Sequence, residues 1–106
     1  MEKALLLTGY KVLAARGGEE AIEVFKKNQD RIDLVILDMI MPGMGGGKVF
    51  DSLRAIHPGV KVILSSGYSI DGEASQIMAR GCNGFIQKPF GTKELSQKIR
   101  DVTDQS

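Results

Sequence analysis

The sequence predicts an α/β domain in which parallel strands alternate with helices. Three observations support this class: short apolar runs recur along the chain, apolar residues at helical spacing separate them, and glycine-containing stretches mark most boundaries. Such alternation is typical of a parallel sheet with right-handed crossovers and helices on both faces. The 106 residues suffice for one domain of modest size, which we place at residues 1–106.

The clearest strand ends at Asp38. The run 34–37, LVIL, is continuous, apolar and branched, so it predicts a strand that is buried on both faces. Further strands are predicted at residues 10–15, 60–64 and 83–87. Helices are predicted where apolar stripes occur at Ala21, Val24 and Phe25, at Val49, Leu53 and Ile56, at Ala74, Ile77 and Met78, and at Leu95, Ile99 and Val102.

Residues 3–7, KALLL, are ambiguous because so short an apolar run does not show its period. We predict the last turns of a helix there, since Thr8-Gly9 then supplies a helix stop. A short strand is the alternative.

Composition narrows the classes of partner and the cellular location. A net charge of +1 predicts no broad attraction to nucleic acid or to an anionic membrane surface. The single cysteine, Cys82, excludes an internal disulfide and fits a reducing compartment. No apolar run approaches the roughly 20 residues of a membrane span. We therefore expect a cytoplasmic domain without membrane contact.

Three predicted strands end in polar groups of different kinds, namely Asp38, Ser66 and Lys88. In a parallel sheet these ends lie at one edge, where open α/β sheets place their chemistry. An aspartate carboxylate is ionised at neutral pH and acts as a nucleophile without a general base. A nearby cation and a hydroxyl donor would offset its repulsion from an anionic phosphate donor. This constellation therefore suits a phosphoryl-accepting aspartate.

The motifs DMIMPGMGG at 38–46, SSG at 65–67 and QKPF at 87–90 resemble, in this order and spacing, the receiver domain of two-component response regulators. The motifs SSGYS and GFIQKPF especially resemble the corresponding motifs of receivers that are fused to hybrid sensor histidine kinases. The resemblance covers essentially the whole chain and implies a flavodoxin-like fold of the CheY type, with strand order 2-1-3-4-5.

The resemblance assigns a role to each matching position. Asp38 corresponds to the phosphoacceptor, Ser66 to the switch hydroxyl that bonds a phosphoryl oxygen, and Lys88 to the family's lysine, which precedes a proline in a cis peptide. Phe85 matches the aromatic switch residue. Asp38 and the backbone carbonyl of Ile40 match two ligands of Mg²⁺.

One departure from the family pattern affects the expected magnesium site. Receivers begin with a strand that ends in paired acidic residues, and these hold the Mg²⁺; no such pair precedes Tyr10. The chain begins about where the family's first helix ends, so we expect an N-terminally truncated receiver. Magnesium is usually held by carboxylates together with substrate phosphate. The set of ligands is therefore incomplete, and we expect Mg²⁺ to bind weakly or not at all.

The same departure removes the family's central strand and would leave a gap of about 9–10 Å with unpaired edges on both sides. We expect one of three solutions: direct re-pairing of the flanking strands, a strand borrowed from another copy in a swapped homodimer, or pairing of residues 3–7 in the gap.

The expected function is that of a phosphorelay receiver, which accepts a phosphoryl group on Asp38 from a histidine kinase or histidine phosphotransfer domain and switches a partner-binding surface. The alternative is a pseudo-receiver that is not phosphorylated and acts as a docking or dimerisation module, because the acidic pair is missing. The domain is not expected to be an enzyme, although it could be part of a hybrid histidine kinase. A haloacid-dehalogenase-type phosphatase would need an aspartate at position 40, where Ile40 stands.

Overall fold

The computed structural model describes residues 4–8, 12–39, 45–67 and 72–104. In these ranges the chain forms a five-stranded sheet and four helices. In chain order the elements are β1 Ala4–Thr8, β2 Val12–Ala15, α1 Gly18–Asn28, β3 Ile32–Asp38, α2 Gly46–Ile56, β4 Val62–Ser66, α3 Gly72–Ala79, β5 Gly84–Gln87 and α4 Thr92–Thr103.

The sheet has the order β2-β1-β3-β4-β5. Strands β3, β4 and β5 are parallel, and Asp38 of β3 stands opposite Ser65 of β4. Strand β1 is antiparallel to both of its neighbours, β2 and β3. The α/β class is therefore confirmed, whereas the prediction of an all-parallel sheet is wrong for β1.

The predicted helix at residues 3–7 is also wrong, because β1 covers Ala4–Thr8. The segment lies between β2 and β3, where its backbone groups pair on both sides, and the side chain of Leu6 is completely buried. Two flanking strands with unpaired edges outweigh a weak local preference for helix. Of the three expected solutions for the gap, the structure has the third, in which this segment pairs in place of a central strand.

Helices cover the two faces of the sheet unequally. The larger core cluster lies between the sheet and α1, α2 and α3, and the smaller one lies between the sheet and α4. Strand β3 serves both clusters, because Val35 and Leu37 face the first while Leu34 and Ile36 face the second. The prediction that this strand is buried on both faces is confirmed.

Cys82 packs in the larger cluster, and its thiol donates a hydrogen bond to the carbonyl oxygen of Val62 at 3.2 Å. Burial raises the pKa of this thiol above its ordinary value, so the neutral form is favoured in the folded chain.

Among the described helices, none has the length and apolar character needed to cross a membrane.

Gly81, just beyond the end of α3, adopts a left-handed backbone conformation with φ of 105°. A Cβ atom there would also lie 3.3 Å from the guanidinium of Arg54. We expect Gly81→Ala to lower the free energy of unfolding by about 1–2 kcal/mol in urea denaturation. Gly72→Ala is the matched control, because open space surrounds that position and alanine favours the helix. A neutral Gly81→Ala would contradict this account of the turn.

Candidate functional site

The carboxyl ends of β3, β4 and β5 meet at one edge of the sheet. Two backbone hydrogen bonds extend the pairing past the strand ends: the amide of Met39 donates to the Ser65 carbonyl at 2.9 Å, and the amide of Lys88 donates to the Ser66 carbonyl at 2.7 Å. The backbone therefore holds the segments that carry Asp38, Ser66 and Lys88 in fixed register, as the convergence of strand ends predicts.

Asp38 and Lys88 form an ion pair through the Nζ and Oδ2 atoms. The Asp38 side chain is only 2% exposed, whereas that of Lys88 is 24% exposed. Because β4 lies between β3 and β5, the lysine side chain crosses the end of β4 to reach the carboxylate. The partly exposed Lys88 ammonium places positive charge next to the buried carboxylate, where it would attract an incoming anion.

The N-terminus of α2 packs closely against the end of β3. The amide of Gly46 donates to the Met39 carbonyl at 3.2 Å, and a Cβ atom at position 46 would lie 3.1 Å from the carbonyl oxygen of Asp38. A side chain at this position would force the backbone around Asp38 to shift. Glycine at position 46 therefore allows the helix to begin beside the carboxylate.

Both serines at the end of β4 are buried. Ser66 is 8% exposed and is held by the backbone bond to Lys88, whereas Ser65 is completely buried. The strand register places Ser65, rather than Ser66, directly opposite Asp38. The resemblance assigns the site role to Ser66 and none to Ser65, and only the pairing of β3 with β4 shows that Ser65 and Asp38 share a face.

Phe85 lies on β5 opposite Leu64 and packs, partly exposed, against the larger core cluster. It alternates with Ile86, which faces the smaller cluster. The structure therefore places Phe85 on the opposite face of the sheet from Ile86, next to the strand that carries the serines. The peptide bond between Lys88 and Pro89 is cis, as the resemblance implies.

The described residues do not fit a carboxylate-held magnesium site. Within these ranges, acidic, histidine and cysteine side chains form no group of three that could hold a metal ion, and the Asp38 carboxylate is paired with Lys88. Ile40, whose carbonyl the resemblance assigns to Mg²⁺, lies outside the described residues. The sequence predicts an incomplete set of ligands, Asp38 and the Ile40 carbonyl, and the weak or absent binding of Mg²⁺ stays a prediction.

An open α/β sheet with a buried carboxylate and a lysine converging at its carboxyl edge is the arrangement expected of a phosphoryl-receiving signalling domain. A model of the response regulator receiver domain matches residues 1–100, and the chain belongs to this family. Domains of this family receive phosphoryl signals in two-component phosphorelays, interact with histidine kinases or phosphotransfer proteins, and typically bind Mg²⁺.

Curated relatives contain the domain as one part of longer proteins. The sensor kinase CckA of Brucella abortus is 35% identical over 102 residues, which are 96% of this chain and 11% of that protein. The transcriptional regulatory protein GlrR of Escherichia coli is 33% identical over 98 residues, which are 92% of this chain and 22% of that protein. The chain thus spans a minor part of these relatives.

Solved structures share the fold. A receiver domain protein of Clostridium thermocellum has a TM-score of 0.79 at 29% identity, covering 85% of this chain and 71% of that one. The CheX–CheY complex with BeF3 and Mg of Borrelia burgdorferi gives a TM-score of 0.78 at 27% identity, covering 84% of this chain and 66% of that one. The predicted CheY-like class is confirmed, with the antiparallel β1 as the local difference from an all-parallel sheet.

Proposed function

We propose that Asp38 accepts a phosphoryl group from a phosphohistidine of a histidine kinase or histidine phosphotransfer domain. The ion pair between Asp38 and Lys88 is the observation that carries this proposal. It places a nucleophilic carboxylate beside a cation at the carboxyl edge of the sheet, and the 24% exposure of the lysine side chain leaves the pair open to an incoming donor.

In the proposed step, an Asp38 carboxylate oxygen attacks the phosphorus atom, and an O–P bond forms as the N–P bond to the donor imidazole breaks. The imidazole nitrogen keeps the electron pair, and the product on this chain is an acyl phosphate. The Lys88 ammonium offsets negative charge on the phosphoryl oxygens as they approach the carboxylate. The chain acts as an acceptor of the group rather than as an enzyme with turnover.

The response to phosphorylation involves two further residues in this proposal. The Ser66 hydroxyl bonds a phosphoryl oxygen, and the Phe85 ring changes rotamer as the end of β4 moves. Burial of Ser66 at 8% exposure and the partial exposure of Phe85 on the adjacent strand support this coupling. The ring would then alter a partner-binding surface near β5, shifting a pre-existing two-state equilibrium.

We further propose a cytoplasmic setting, within or beside a hybrid histidine kinase. The similarity to a sensor kinase and the motifs SSGYS and GFIQKPF support this placement. Homodimer formation stays a prediction, and strand exchange is not needed for it to fill the gap because β1 already pairs with β2 and β3 within one chain.

The test is incubation with acetyl phosphate over a range of Mg²⁺ concentrations, followed by intact-mass measurement. We expect the mass of the parent chain to rise by one phosphoryl group. Asp38→Asn should show no rise, because the amide is not a nucleophile of this kind. Asp33→Asn is the matched control, since Asp33 lies on the same strand but is exposed and away from the carboxyl edge.

Phosphoryl transfer to Asp38→Asn, or no transfer to the parent chain at any Mg²⁺ concentration, would contradict the proposal. The second result would instead favour the pseudo-receiver, in which the fold acts only as a docking or dimerisation module.

A further inference from the structure

Ser65 carries a buried hydroxyl that the proposed reaction does not use. Its side chain is completely buried, and its Oγ atom has no hydrogen-bond partner among the described residues. An unpaired hydroxyl in an apolar interior is unfavourable, and most buried polar atoms in native proteins have a partner. We therefore expect a hydrogen-bond acceptor to be present beside Ser65 in another state of the site.

The strand register shows where that partner would lie. Ser65 stands opposite Asp38 on one side and Ile86 on the other. Paired residues of neighbouring strands point to the same face, and the strands are about 4.8 Å apart. Lys88 follows Ile86 by two residues, so the Ser65 hydroxyl lies on the face from which Lys88 reaches across β4 to Asp38.

We propose that the Ser65 hydroxyl donates a hydrogen bond to the acyl phosphate on Asp38, as a phosphoryl-binding group additional to Ser66. This inference rests on the proposed function, because it needs a phosphorylated Asp38. The serine forms no covalent bond and transfers no proton; it supplies a donor whose partner arrives with the phosphoryl group.

The need for such a donor follows from the change in charge at the site. Before phosphorylation, Lys88 pairs with the Asp38 carboxylate. The acyl phosphate brings three additional oxygens that share its negative charge, and the ammonium is attracted toward them. More acceptor atoms then require donors in a buried place, where a hydrogen bond to a charged group is strong.

Beryllofluoride is a suitable probe, because this anion has the geometry of a phosphoryl group and binds without a donor reaction. Its affinity for the parent chain, Ser65→Ala and Ser96→Ala would be measured by 19F NMR titration at one fixed Mg²⁺ concentration. Ser96 is an exposed serine on α4 and serves as the matched control. Urea denaturation without the probe would give the stability of each variant.

We expect Ser65→Ala to bind beryllofluoride about tenfold more weakly than the parent chain. Its free energy of unfolding without the probe should equal or exceed that of the parent, because no hydrogen bond is lost. Ser96→Ala should match the parent in affinity.

Two results would overturn the inference while leaving the proposed function intact: parental affinity in Ser65→Ala, or a weaker affinity accompanied by an equal loss of stability in the free protein. Absence of beryllofluoride binding to the parent chain would overturn the inference, whereas the proposed function is decided separately by phosphoryl transfer from acetyl phosphate.

Discussion

Lys88→Ala should slow phosphorylation of Asp38 by acetyl phosphate by about two orders of magnitude, the typical effect of removing one preorganised electrostatic group from a reacting site. The physical reason is the ion pair that crosses the end of β4. Without the ammonium, the Asp38 carboxylate, 2% exposed, meets an anionic donor with less positive charge to offset the repulsion. The measurement is the rate at which the phosphorylated mass appears at a fixed concentration of donor.

Lys93→Ala is the matched control for this experiment, because Lys93 is an exposed lysine in the first turn of α4. It changes the net charge of the chain by the same amount and should leave the rate unchanged. Circular dichroism of both variants would establish that the fold is retained. An unchanged rate in a folded Lys88→Ala would show that the ion pair has no part in the reaction.

Leu6→Ala should produce the largest loss of stability, about 3 kcal/mol, because the substitution leaves a cavity in the larger core cluster. The Leu6 side chain is completely buried on a strand that pairs on both sides. For a domain whose total stability is about 5–15 kcal/mol, such a loss is severe. Urea denaturation of the purified variants gives the measurement.

Leu7→Ala is the comparison, since Leu7 is the next residue of β1 and is only partly buried against the smaller cluster. We expect it to lose clearly less stability than Leu6→Ala. Equal losses, or a larger loss at Leu7, would contradict the alternation of faces along β1 and with it the placement of this strand between β2 and β3.

The fold was predictable from the sequence wherever an element carried its own periodic signal. The apolar run before Asp38 and the stripes of the four helices gave the class and most of the element positions. The segment KALLL could not be assigned in this way. Its strand conformation depends on pairing with both β2 and β3, and these two strands are remote in sequence from each other. Tertiary pairing outweighs local propensity at such a position.

The candidate site was predictable as far as strand ends in a parallel sheet define it. Asp38, Ser66 and Lys88 lie at one edge of the sheet, although 50 positions separate Asp38 from Lys88. No role was predicted for Ser65, because its register with Asp38 becomes known only when the pairing of β3 with β4 is known. The roles assigned to Asp38, Ser66, Lys88 and Phe85 remain predictions.

The most direct test of the central claim is to locate the phosphoryl group in the chain. Borohydride reduces an aspartyl phosphate to homoserine, so the chain would be treated with acetyl phosphate, reduced, cleaved to peptides and sequenced by mass spectrometry. We predict homoserine at position 38 and unmodified aspartate at Asp33 and Asp51. Aspartate at position 38 in a chain whose intact mass had gained a phosphoryl group would contradict the claim that Asp38 is the acceptor.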